Sequence, residues 1–193
     1  KNKVQFRDFG ELLFTHFGVS GPLILSASAH MRYFDKKQYR LEIDLKPALD
    51  EQQLDKRLLS DFGKYANHDF QNALDDLLPQ KLIPVVVQLS EIPGRQKVHD
   101  LTREQRQSLL RVLKHFPVEI SAPCPVEDAI VTSGGVKVSE IDPKSMESKL
   151  VKQLYFAGEL IDTDAYTGGF NLQIAWATGR LAGQSAACER NNR

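Results

Sequence analysis

The stretch from Leu154 to Ala187 constrains this chain more than any other. Leu154-Tyr155-Phe156-Ala157 is an apolar run of strand length, closed by Gly158-Glu159. An acidic segment with Asp162, Asp164 and Tyr166 follows, and Gly168-Gly169 break it. From Asn171 the residues Leu172, Ala175, Trp176, Gly179, Ala182, Gly183 and Ala186 recur at the spacing of one helical face. The pattern predicts strand, acidic turn, glycine pair, helix. Glycines permit positive φ and close approach of a ligand. A helix start presents N–H groups without intrahelical partners, at the positive end of a dipole. Together they favour an electron-rich or anionic group at Gly169–Leu172. Glu159, just past a strand end, is placed to accept hydrogen bonds from a sugar or polyol hydroxyl. The same residues also suit a plain turn between a core strand and a core helix.

Upstream, Lys3 to Phe9 and Glu11 to Phe14 read as strands. Gly18-Val19-Ser20-Gly21-Pro22 reads as a turn into a helix over Leu23 to Met31, with Ser20 as N-cap and Pro22 in the first turn. Tyr39 to Leu45 alternates apolar and polar residues, the clearest half-buried strand in the chain. From Asp50 the period becomes helical. Leu54, Leu58, Leu59 and Phe62 share a face, with Gly63 as the predicted C-cap. A second helical stretch carries Phe70, Leu74, Leu77 and Leu78. Leu82 to Leu89 is read as helix despite Pro84. Thr102 and Gln105 have the spacing of a capping box, opening a helix to about His115. Pro117 to Ile120 returns to strand, and Ala129 to Thr132 and Val136 to Val138 are strand candidates around Ser133-Gly134-Gly135.

Composition excludes some classes of function. Basic and acidic residues balance at 25 each, with no basic block, which argues against nucleic acid as the main partner. No apolar run approaches membrane-spanning length. Cys124 and Cys188 have no metal or redox spacing and read as thiols of a cytoplasmic protein. His30, His68, His99 and His115 show no ligand spacing, so no metal site is expected. His16, between Thr15 and a Ser-Gly-Pro helix start, suits binding an anionic substrate or donating a proton, or simply a histidine satisfied by backbone.

Three segments resemble one bacterial flavoprotein family. They are YFAGELIDTDAYTGGFNLQIAWATGRLAG near the end, Phe14 to Pro22 near the start, and Val131 to Val136 followed by Glu140 to Pro143 and Met146 to Lys149. The family is that of NAD(P)/FAD-dependent oxidoreductases that includes aminoacetone oxidase and a bile-acid-reducing enzyme, within the glutathione-reductase-like two-dinucleotide-binding superfamily. The resemblance implies an α+β fold. A β-rich domain (1–47 and 117–128) would carry an inserted helical domain (48–116), and 129–193 would be the C-terminal half of a split Rossmann-like FAD domain. It implies that Gly158 and Glu159 bind the flavin ribityl chain. Gly168, Gly169, Phe170, Asn171 and Leu172 would lie against the isoalloxazine, with Thr132, Gly134 and Gly135 at the cofactor edge. His16 is the catalytic candidate. No G-x-G-x-x-G fingerprint occurs, and the sequence begins at Lys1, so the expectation is a fragment lacking the N-terminal half of the FAD domain. The implied activity of the parent is hydride transfer between FAD and a small molecule or NAD(P)H. A flavoprotein acting on tRNA, and a non-enzymatic interaction fragment without flavin, are the alternatives.

Overall fold

The structure is a computed structural model and describes residues 3–191. In chain order its elements are β1 (Leu13–Phe14), β2 (Val19–Ser20), α1 (Pro22–Ser28), β3 (Tyr39–Ile43), α2 (Glu51–Lys64), α3 (Ile83–Ser90), α4 (Arg103–Lys114), β4 (Phe116–Ile120) and α5 (Phe170–Asn191). Two small sheets and five helices make the described part a mixed α+β chain. It forms two compact units: Gln38–Ser121, and the residues up to Lys37 together with those from Ala122 on.

The Gln38–Ser121 unit is a helical body closed by one hairpin-like pair. β3 and β4 run antiparallel, with Tyr39 opposite Ile120 and Ile43 opposite Phe116. α2 starts at a reciprocal capping box. Asp50 Oδ1 accepts from the Gln53 N–H at 2.7 Å, and Gln53 Oε1 accepts from the Asp50 N–H at 3.0 Å. α4 starts the same way, from Thr102 and Gln105. α3 is helical through Val85-Val86-Val87 because Pro84 falls in its first turn, where no N–H is needed. The apolar faces meet in one core, with Leu54, Leu58, Phe70, Leu74, Leu109 and Leu113 fully buried.

Two expectations fail in this unit. Gly63 is not a C-cap: α2 continues through it, and the closing bond runs from the Tyr65 N–H to the Asp61 carbonyl at 3.0 Å. The last turn is held instead by side chains, since Lys64 Nζ donates to Asp76 at 2.7 Å and the Tyr65 hydroxyl donates to the same carboxylate. The stretch Phe70–Leu74 is a short 3-10 turn rather than a long helix. Its first N–H groups reach outward, Phe70 to the Gln96 carbonyl at 2.9 Å and Gln71 to that of Gly94 at 3.0 Å.

The Lys64 and Tyr65 hydrogen bonds hold the Asp76 carboxyl below the usual carboxylate range. A carboxylate depressed in the folded state binds its proton more readily when unfolded. Its contribution is therefore complete above the ordinary carboxylate pKa and fades as pH falls through the lowered value. Asp76→Asn is expected to lower stability at neutral pH and to change it least in acid, which flattens the acid limb of a stability–pH curve. An acid limb identical to that of the parent would remove Asp76 as its source.

The second unit begins with a minimal hairpin. β1 pairs antiparallel with β2, Leu13 opposite Ser20 and Phe14 opposite Val19. The Thr15 hydroxyl closes the turn, accepting from the Gly18 N–H at 3.1 Å. Lys3 to Phe9 is not a strand. Ser20 is not the N-cap of α1; it belongs to β2, and Gly21 takes the cap position with φ 101°. A Cβ there would lie 3.1 Å from the Glu11 carbonyl oxygen, so the turn uses both properties of glycine.

From Val126 to Thr167 the predicted strands reduce to isolated bridges: Val136 with Ile161, Ile141 with Ser148, and Glu147 with Tyr155. Neither Ala129–Thr132, Val136–Val138 nor Leu154–Ala157 forms a strand. Alternation marks which residues need cover, but a strand also needs a neighbour for its N–H and C=O groups. A small core of Ile141, Met146, Ile161 and Ala182 joins these loops to α5.

Candidate functional site

The site is built from the bottom of α5 upward. Gly168 and Gly169 precede the helix with φ 118° and 87°. A Cβ on Gly169 would meet no heavy atom within 4 Å. The first helical bond here runs from the Gln173 N–H to the Gly169 carbonyl at 3.0 Å. The N–H groups of Phe170, Asn171 and Leu172 precede it, as donors at the positive end of a 22-residue helix. Phe170 and Leu172 are exposed. A flat, electron-rich group can reach the backbone at Gly169 without meeting a side chain, whereas the Phe170 ring lies against Gly168, 3.5 Å from where a Cβ would stand.

Asn171 is neither the N-cap nor open to a ligand through its side chain. Its amide clamps the preceding loop, Oδ1 accepting from the Ala165 N–H at 2.8 Å and Nδ2 donating to the Ala165 carbonyl at 2.9 Å. The amide therefore fixes the acidic loop relative to the helix start.

Gly158 takes φ 65° and opens a 3-10 turn, Gly158–Leu160. Its N–H donates to the Thr178 hydroxyl at 2.9 Å, and Thr178 in turn donates to the Ile174 carbonyl at 2.6 Å. Thr178 thus ties the glycine turn to α5, a role the sequence reading missed. Its only signal was a Thr on the helical face shared with Ile174 and Ala175. Glu159 is exposed, and its carboxylate makes no hydrogen bond or ion pair among the described residues.

Gly135 is used internally. A Cβ there would lie 2.6 Å from the Leu160 carbonyl oxygen and 2.9 Å from the Asp162 nitrogen. The two segments are held together by Val136 N–H to Leu160 O at 2.8 Å and Asp162 N–H to Val136 O at 2.9 Å. Thr132 and Gly134 are exposed, and a Cβ on Gly134 would meet nothing within 4 Å. The structure therefore brings together Gly135, the Gly158 turn and the part of α5 that carries Ala175 and Thr178. His16 does not join them: it lies at the exposed tip of the β1–β2 turn, its ring edge-on to Phe17 at 5.1 Å.

A different histidine does join the acidic loop. His30 Nε2 lies 3.0 Å from the Tyr166 hydroxyl. Phe6 stacks on the His30 ring at 5.0 Å and meets Tyr166 edge-on at 6.5 Å. Beside them Arg32 donates to the Ser133 hydroxyl at 3.4 Å, which donates to Asp164 at 3.5 Å. His30 and Tyr166 are 136 residues apart, so no spacing rule signals the pair.

An α+β chain with an exposed glycine pair at a helix start, and a separate helical body closed by a strand pair, is the class defined so far. The chain belongs to the family described as HI0933-like protein barrel and H2TH domain, which matches residues 1–131. Among curated proteins it is similar to a 3-dehydro-bile acid delta(4,6)-reductase of Clostridium scindens, 33% identical over 96% of this chain and 46% of that protein. It is also similar to ribosomal RNA dihydrouridine synthases. That of Escherichia coli is 30% identical over 100% of this chain and 46% of the relative, and that of Haemophilus influenzae 29% over 88% and 40%. The chain spans about half the length of the curated relatives it matches.

Proposed function

We propose that this chain supplies the flavin-facing part of a flavin-dependent reductase. The observation that carries the reading is the open Gly169 leading into α5, followed by the N–H groups of Phe170 to Leu172 at the helix start. These residues fit a flavin: the ring needs a side-chain-free approach, and its pyrimidine edge gains negative charge on reduction. Bound FAD would supply hydride transfer. The chain's own residues would do the rest. The N–H groups of Phe170 to Leu172 would stabilise that charge without a cationic side chain. Asn171 would keep the acidic loop clear of the ring, and Glu159, whose carboxylate faces solvent, would accept from the ribityl hydroxyls.

The substrate class follows from chemistry common to the relatives. A bile acid delta(4,6)-reductase and a dihydrouridine synthase, as named, each saturate a ring carbon–carbon double bond. We infer the same reaction type here, on a small molecule with a ring double bond, with NAD(P)H as the electron source. The remaining half of the FAD domain, including the dinucleotide fingerprint, would come from sequence beyond this chain. That half would cover exposed apolar residues such as Leu160, Phe170, Leu172 and Trp176 and complete the split Rossmann-like sheet to which Leu154–Ala157 would belong. The exposed free thiols Cys124 and Cys188 support a reducing, cytoplasmic setting. A second reading, reduction of a uracil base in RNA, is favoured by the two dihydrouridine synthases. The even charge of the chain weighs against it.

The test is flavin binding by the full-length protein. Glu159→Ala should weaken FAD binding by about 1.5–3 kcal/mol, the value of a hydrogen bond to a charged group. Equal affinity in parent and variant would remove Glu159 from the site. A full-length parent that stays colourless with added FAD would remove the flavin reading.

A further inference from the structure

A double bond conjugated to a carbonyl is reduced by adding hydride at its far carbon. The electron pair then moves onto the carbonyl oxygen, which needs a hydrogen-bond donor and finally a proton. Neither Glu159, which is an acceptor, nor His16, which lies apart at a hairpin tip, offers one there. The Phe6–His30–Tyr166 cluster does. Tyr166 sits two residues before Gly168, in the loop that Asn171 clamps to α5 at Ala165. Its hydroxyl is 3.0 Å from His30 Nε2, and Tyr166 remains 53% exposed. Phe6, stacked on the imidazole, supplies an apolar wall and holds the ring in place.

We propose that Tyr166, backed by His30, is the donor to the carbonyl oxygen of a planar, conjugated carbonyl substrate. The proposal rests on the reductase reading, in which a dihydroflavin is the reductant. Hydride forms a C–H bond at the far carbon, and the π pair shifts to make an enolate oxygen. That oxygen takes the proton of the Tyr166 hydroxyl, and His30, in its imidazolium form, returns a proton from Nε2 to the phenolate and is left as the neutral imidazole. The enol then tautomerises to the saturated carbonyl compound, and water restores the proton to His30. Asn171 is a positioning residue in this scheme, acting only through the loop that carries Tyr166.

The test uses the full-length protein with FAD bound and 4-nitrophenolate as a coloured mimic of the enolate: planar, conjugated and anionic at oxygen. Wild type is expected to bind it with a shift of its visible band to shorter wavelength, as the oxygen shares the Tyr166 proton. Tyr166→Phe should bind at least 10-fold more weakly and without the shift, and His30→Gln about 3-fold or more weakly with a reduced shift. The double variant should be no worse than Tyr166→Phe, because the two residues act on one proton. All variants should keep flavin content and melting temperature. Equal binding by wild type and Tyr166→Phe overturns the proposal, as does a flavin-loaded wild type that does not bind the probe. Loss of flavin or of the melting transition in Tyr166→Phe assigns the pair a structural role, which also overturns it. A wild type that takes up no flavin instead overturns the underlying reductase reading.

Discussion

Gly135→Ala is expected to cost about 3 kcal/mol or more, combining a forced backbone shift with a strained φ. The added methyl would sit 2.6 Å from the Leu160 carbonyl oxygen and 2.9 Å from the Asp162 nitrogen. Neither atom belongs to a flexible side chain. Both are engaged in the bridge with Val136, at 2.8 and 2.9 Å, so relief of the clash breaks hydrogen bonds. The residue's φ of 146° adds strain for any side chain. The matched control is Gly134→Ala, one residue earlier, where φ is 115° and the new methyl meets nothing within 4 Å. It should show only the conformational part, about 1 kcal/mol. Denaturant unfolding of the two variants checks this. Equal losses would mean that the close approach at Gly135 is not what requires glycine there. Because residues 160–162 lead directly into the acidic loop, Gly135→Ala should also weaken flavin retention in the full-length protein.

The other large effect lies in the helical body. Phe70→Ala should destabilise by about 3–5 kcal/mol, the cost of emptying a fully buried aromatic site. Phe70 is 0% exposed, packs edge-on against Phe62 at 6.4 Å, and its N–H is bonded to Gln96 at 2.9 Å. The short 3-10 turn it begins has few helical bonds of its own, so neighbours cannot easily collapse into the cavity. Leu59→Ala on α2, a residue 49% exposed, should stay within about 0.5 kcal/mol. A Phe70→Ala variant that unfolds at the parent's denaturant midpoint would contradict the packing described.

Local signals carried furthest where they were self-contained. The Thr102 capping box, the helix it opens and the β3 alternation are decided by residues within a few positions, and the structure shows each of them. Gly63 misled because a glycine near a helix end is only a permission to stop. The Lys64–Tyr65–Asp76 contacts, made across 11 and 12 residues, decide where α2 ends. The strands expected at Ala129–Thr132, Val136–Val138 and Leu154–Ala157 fail for a similar reason: their pattern names a need for cover without naming a partner. At the candidate site the glycine pair and helix start were legible, because glycine's backbone freedom is a property of the residue itself. The internal use of Gly135, the Asn171 clamp, the Thr178 anchor and the His30–Tyr166 pair were not, since each depends on which distant segment arrives beside it.

The pairing of Tyr39 with Ile120 has a consequence for how such a chain can be rearranged. Directly opposed residues in an antiparallel ladder have Cα atoms about 5 Å apart. The polypeptide therefore enters and leaves the helical body through one doorway two strands wide. A segment with adjoining ends can be cut out and its flanks rejoined by a short turn, or transplanted as a cassette, without stretching the backbone on either side. Its own ends can also be linked and new ones opened at an exposed loop such as Pro79–Lys81. The body is thus a unit of exchange, free to be lost, swapped or enlarged while the glycine-lined surface beside α5 keeps its sequence.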